Sequence, residues 1–232
     1  MKKMTDKILF WVDISLLQFG IAKILQEKIN NDFYVIYDLN HHLKKSFLKQ
    51  NIVNFKKEWY FWDNVGKIKK PNLEYLTKIE KKYKINLWQI AYSERNFYKY
   101  NPFYKFSREE ILSILEQECR FFEKVLDEVE PEFLIIKTTD FHRNHLLTEM
   151  CRARNVKILM IFGSRIGYRS SIASQSDVID YQLDKGKINT VNIESPQDLD
   201  KYLQNHNRFK QTKTVHSGGM NTPHYKKIIP SI

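Results

Sequence analysis

The residues best equipped for chemistry are Thr138-Thr139-Asp140-Phe141-His142-Arg143-Asn144-His145, directly after the apolar run Phe133-Leu134-Ile135-Ile136. Where a buried strand hands over to a helix, free backbone N–H groups and the helix dipole favour an anion. Arg143 adds a planar guanidinium suited to two-pronged contact, and His142 a proton-transfer group near neutral pH. On these residues a second reading stands beside that one: Asp140 or Thr139 caps the helix and both histidines face solvent. His142 and His145 are three apart, as metal ligands on one helix face are, but no third ligand follows at a readable spacing. His41 and His42 are adjacent, so their side chains diverge. Neither a metal nor a cofactor is expected.

Three other loops follow apolar runs, at Asp13–Gly20, Asp38–His42 and Gly163–Arg165. If those runs are strands of an open sheet, these loops lie beyond the carboxyl ends, where such folds bind ligands. The first loop lacks the G-x-G-x-x-G fingerprint and the chain contains no P-loop, so neither device holds a nucleotide here. Gly20 fits close helix–strand packing, with ligand contact as the other reading. Trp59, Trp62, Tyr92, Phe97, Tyr98 and Tyr100, with lysines nearby, suit either stacking on sugars or bases or packing in the core. Neither a ribonucleoprotein motif nor a helix-turn-helix accompanies them, and no nucleic acid partner is expected.

The elements that must position these residues are legible from periodicity. Lys7 to Val12 and Phe33 to Tyr37 are short apolar runs, each closed by an aspartate, with helical spacing between them. Leu17, Ile21, Ile24, Leu25 and Ile29 mark one helix face, predicted to point inward. A β-α-β unit follows, with its strands parallel. His41 to Gln50 reads as a short helix; Ile52–Phe55 and Trp59–Trp62 supply a third strand, or a strand and an aromatic loop. Helical stripes start at Leu73 and continue near Leu87, and Phe97 to Tyr104 reads as a packed loop. Ser107-Arg108-Glu109-Glu110 fits a capping box, opening a helix whose stripe runs from Ile111 through Cys119 to Val129 and stops at Pro131. On that stripe Cys119 is a core residue. A strand at 133–136, a helix from Phe141 to about Arg154 and a strand at 156–162 complete the alternation, with a tight turn at Gly163–Gly167. Strands this apolar predict a mostly parallel α/β sheet, Rossmann-like, with helices on both faces. Beyond Asp180 the pattern weakens to a helix start at Ser195-Pro196, and Asn205 to Ile232 is expected to be partly disordered.

Composition bounds the function. The chain has 232 residues, 42% hydrophobic and 28% charged, a globular balance. No apolar run reaches the ~20 residues of a membrane span, and the basic start at Met1–Lys7 lacks the core of a secretion signal. Two cysteines support neither a disulfide framework nor a four-cysteine zinc site. These features predict a cytoplasmic protein. The surplus of 38 basic over 27 acidic residues gives +11. It fits an anionic partner or, equally, the lysine-rich composition that AT-rich coding produces.

The segments Phe19–Lys23, Ala91–Phe97, Thr138–Arg143 and Ser164–Arg169 resemble the amino-terminal region of GT-B type glycosyltransferases of capsule and surface-polysaccharide biosynthesis, over residues 7–180. The resemblance implies a Rossmann-like acceptor-side domain at 1–180, with 181–232 an extension. It implies a glycan acceptor as partner, and a nucleotide sugar only through a second domain for which the residues after Asp180 leave no room. The chain by itself is therefore expected to be inactive, whether it is a fragment, a stand-alone relic or a partner subunit. A position at the inner face of the membrane, in peripheral contact with anionic lipid, goes with that role. The implied site has His142 and Asp140 as catalytic groups and Arg143, Arg165, Glu94, Arg95 and Thr139 on the substrate. A non-catalytic basic module binding nucleic acid or an anionic glycan is the alternative.

Overall fold

The computed structural model describes residues 5–39, 41–98, 103–163, 170–175, 178 and 195–205. Six strands form one mostly parallel sheet in the order β3-β2-β1-β4-β5-β6. They are β1 (Lys7–Val12), β2 (Asp32–Tyr37), β3 (Lys57–Tyr60), β4 (Phe133–Lys137), β5 (Lys157–Gly163) and β6 (Ser170–Ala173). Every pairing from β3 to β5 is parallel, with Phe10 opposite both Val35 and Ile135. The four predicted apolar runs are therefore neighbours in one sheet.

The reason lies in the two-residue period of a strand. Leu9 and Trp11 point to one face, where Leu115, Phe122, Leu126, Leu146 and Leu147 cover them. Ile8, Phe10 and Val12 point to the other, against Phe19, Ala22, Val35 and Phe55. With both faces covered, neither set tolerates a polar residue, so the strand reads as a continuous apolar run.

The first face is covered by α4 (Leu73–Tyr83), α5 (Leu87–Tyr92), α7 (Arg108–Val129) and α8 (His142–Ala153). Asn72 and Asn86 cap α4 and α5, accepting from Tyr75 N at 2.9 Å and Gln89 N at 2.8 Å. The predicted capping box opens α7: Ser107 Oγ accepts from Glu110 N, and Glu110 accepts from Ser107 N. Cys119 is fully buried on this helix, and burial raises its thiol above the ordinary range. The other face carries α1 (Leu17–Lys28) and α2 (His41–Phe47), while α3 (Phe61–Asn64) and α6 (Arg95–Tyr98) are single turns.

Two local expectations are corrected. The face of α1 turned inward carries Gln18, Phe19 and Ala22, with Ile21 and Leu25 of the predicted stripe packed partly against the core, while Leu17, Ile24 and Ile29 are exposed. Leu16 enters the helix in the left-handed conformation, φ 55°, and Gln26 bonds both backbone groups of Asn54. Together these fix a rotation that the apolar spacing did not specify. The third strand is Lys57–Tyr60, which takes in only the first half of the second run and none of Ile52–Phe55. Gln50 takes the N–H groups of Ile52 and Val53, and Phe61 already begins α3.

The chain divides into two units, Met1–Ile161 with Ala173–Val178, and Phe162–Ile172 with Ile179–Ile232. In the second, α9 (Pro196–Asn205) begins as predicted, with Ser195 Oγ accepting from Asp198 N at 3.2 Å. The Gly163–Gly167 turn, for all but Gly163, and the tail after Asn205 lie outside the described residues. Among the described residues no helix is long and apolar enough to cross a membrane.

Candidate functional site

In the order 3-2-1-4-5 the chain leaves β1 toward one edge and later returns to β4 on the other side, so the loops after β1 and β4 diverge there. In open sheets such a divergence marks the crevice, beyond the carboxyl ends of the strands, where ligands bind. Asp13 follows β1, and its carboxylate lies 3.7 Å from Lys137 Nζ at the end of β4. Asp13 also accepts from Ser15 N at 2.9 Å.

One strand over, Asp38 closes β2 and is 7% exposed. Its two oxygens accept from Trp62 Nε1 at 2.9 Å and from Arg143 Nε at 2.8 Å. The Arg143 guanidinium stands over three rings, 4.4 Å from the centre of Phe141, 5.5 Å from Trp62 and 5.8 Å from Phe61. Packing and one charge-assisted bond thus fix its plane. Its two terminal nitrogens make no hydrogen bond among the described residues. Trp62 and Phe141 remain 49% and 38% exposed.

Behind this pair lies an ion network that no local pattern announces. His142 is buried, with Nδ1 2.6 Å from Glu94 Oε2 and Nε2 2.9 Å from Glu118 Oε1. Phe97 packs against its ring at 4.7 Å. Burial alone would lower the imidazole pKa, but Glu118 and Glu94 outweigh it and hold the group at about 9. Burial would likewise raise the Glu94 carboxyl; its bonds to His142 bring it down to about 2 instead. His142 is therefore a cation at neutral pH.

The same Glu94 oxygen accepts from His142 N at 2.8 Å. The N-cap position of α8 is Phe141, which makes no side-chain cap bond. A carboxylate from 48 residues upstream does that work, and it fills the helix N-terminus where an external anion was expected.

The predicted site residues therefore separate. Arg143 reaches the crevice, and Asp140 is exposed beside it, accepting from Thr138 Oγ1 at 2.8 Å. Asp140 does not cap α8. Thr139 is half-buried in the same loop, and Arg95 is exposed on α6. His142 and Glu94 are buried with their ring nitrogens and carboxylate engaged, so they stand behind the crevice instead of lining it. Arg165 lies outside the described residues, as do Tyr100 and the side chains of His41 and His42. His145 points elsewhere, 3.8 Å from Glu149. Among the described residues no three His, Cys, Asp or Glu side chains converge to hold a metal ion.

The sequence pointed to the Asp38–His42 loop and to Trp62 without joining either to Arg143, and it passed over Glu118. Asp38 had a signal, an acid closing an apolar strand, and Trp62 stood among six aromatics. Glu118 had none, because it sits beside Cys119 on a helix stripe.

Chemically, the crevice offers the carboxylate of Asp13, the guanidinium of Arg143 and two partly exposed rings, while Asp38 is taken up by Trp62 and Arg143. That set bonds hydroxyls and covers the apolar face of a ring-shaped ligand. Compared with known proteins, the chain matches no family model, and no curated protein is significantly similar to it.

Proposed function

We propose that this chain is the acceptor-side half of a glycosyltransferase acting in surface-glycan assembly. The observation that carries the reading is the Asp38–Arg143 pair held between Trp62 and Phe141 at the switch point of the sheet. In this reading the acceptor sugar stacks on the exposed rings while the terminal nitrogens of Arg143 take its hydroxyls or a carboxylate. The acceptor oxygen attacks the anomeric carbon of an activated sugar, the bond from that carbon to the nucleotide's phosphate breaks, and the acceptor proton goes to a base. Asp140, the exposed carboxylate of the β4–α8 loop, is the group assigned to that proton. His142 is a positioning residue: it ties α8 to α7 and to the Glu94 corner, and so sets where Arg143 stands. The nucleotide sugar belongs to a second domain or subunit, since this chain has no glycine-rich phosphate loop.

Calorimetry with a panel of nucleotide sugars tests the division of labour. The expected outcome is no dissociation constant below the millimolar range. A micromolar value for any of them would put the donor site in this chain and overturn the assignment.

A further inference from the structure

Six aromatic residues stand out in the sequence, and burial sorts those described into two groups. Trp59 and Phe97 are each 7% exposed and belong to the core, while Tyr92 and Tyr98 are 75% and 51% exposed. Trp88, 39% exposed, joins the second group. The separation follows from α5, which turns Leu87, Ile90 and Ala91 inward and leaves Trp88 and Tyr92, four residues apart, on its outer face. Tyr98 comes alongside from α6, its ring centre 5.8 Å from that of Tyr92. At the other end the Arg108 guanidinium lies over Trp88 at 5.2 Å.

Arg108 also lines a groove between the 68–73 loop and the first turn of α7, with a volume of about 860 Å³. Ile68, Pro71, Leu73 and Leu112 give it an aliphatic floor, and Lys69 and Lys70 stand along it with Glu109 and Glu110. Glu110 is committed to the Ser107 N–H and the Tyr104 hydroxyl, which leaves three cations against one uncommitted acid. Strip and groove thus meet at a shared arginine.

We propose that the Trp88–Tyr92–Tyr98 strip and the groove beyond Arg108 form one track for an acidic oligosaccharide several units long. The inference goes beyond the acceptor crevice and involves none of its residues. The occupant follows from the chemistry of the wall. Tyrosine and tryptophan combine a flat apolar face with a polar rim, which matches a sugar's C–H face and hydroxyls. Lys69, Lys70 and Arg108 complement carboxylates spaced along such a chain, and Arg108 stacked on Trp88 is already fixed in plane.

Titration of the full chain at low salt with hyaluronan oligosaccharides, from disaccharide to octasaccharide, is the test. Neutral chitin oligosaccharides of the same lengths and an oligothymidylate of matched charge are the comparisons. Affinity should rise with length for hyaluronan and exceed that for chitin. Tyr92→Ala, at an exposed position that leaves the fold intact, should weaken octasaccharide binding about tenfold, as should Arg108→Gln. Octasaccharide binding unchanged in both variants, or absent in the wild type, overturns the track. Equal or tighter binding of oligothymidylate, lost with Tyr92→Ala, would make the strip a nucleic-acid platform. Arg143→Ala keeps the two readings apart: binding that falls with Tyr92→Ala but not with Arg143→Ala upholds the track and counts against the acceptor crevice, and the reverse does the opposite.

Discussion

His142 is the residue on which the site depends without its touching a ligand. A buried imidazolium between two buried carboxylates is held by charge, and removing it leaves both acids unpaired inside the protein. His142→Gln should therefore cost about 3–5 kcal/mol in urea unfolding. The pH dependence follows from the two shifts. The folded pKa of His142, about 9, lies above its ordinary 6.5, so its stabilisation is complete below pH 6.5 and is lost as pH rises through 9. The Glu94 pKa, about 2, lies below its ordinary 4.5, so its contribution is complete above pH 4.5 and is lost as pH falls through 2. Stability from this network should peak between pH 4.5 and 6.5, and in His142→Gln the alkaline decline should be shallower. Denaturant midpoints across pH would check this. A wild-type imidazole that titrates near 6.5 by NMR would contradict it. None of this could be read from the sequence, since the bond to Glu94 spans 48 residues and Glu118 lies within an apolar stripe.

At the level of the element, legibility tracked how local the determining interactions are. The capping box of α7 lies within four residues, and the helix runs from Arg108 to Val129 as its stripe indicates. Ser107→Ala should lower stability by about 1 kcal/mol through loss of the bond to Glu110 N, measured as a drop in the denaturant midpoint; no change would mean the cap is redundant. The strands β1, β2, β4 and β5 were legible because burial on both faces leaves only apolar residues. The rotation of α1 was not, because its exposed Ile24 and buried Ala22 invert the usual weighting and a glutamine–backbone pair to Asn54 fixes the turn. Replacing Gln26 by alanine removes both bonds, and faster amide exchange at Asn54 than in the wild type is the expected result. The cap of α8 was illegible for the same reason as its histidine: Glu94 arrives from another part of the chain.

For the whole molecule, the mostly parallel sheet was predictable from alternating strands and helices, while the strand order and its switch point were not, because periodicity does not say which strands pair. Which groups fill the crevice was only partly predictable. Arg143 stood out in the sequence, whereas Asp38 and Trp62, which hold it, come from the end of β2 and from α3 and meet it only in three dimensions. In the proposed function this crevice binds a glycan acceptor and not the activated donor. The Trp62 indole N–H, bonded to Asp38 at 2.9 Å, is a reporter inside the site. Its NMR cross-peak, followed during titration of the full chain with oligosaccharides and separately with nucleotide sugars, is the most direct measurement. Oligosaccharides should move the Trp62 peak, nucleotide sugars should leave it in place, and Arg143→Ala should weaken the oligosaccharide response roughly ten- to a hundredfold. A Trp62 peak that moves with nucleotide sugar at micromolar concentration, or that no oligosaccharide moves, would contradict the proposed function.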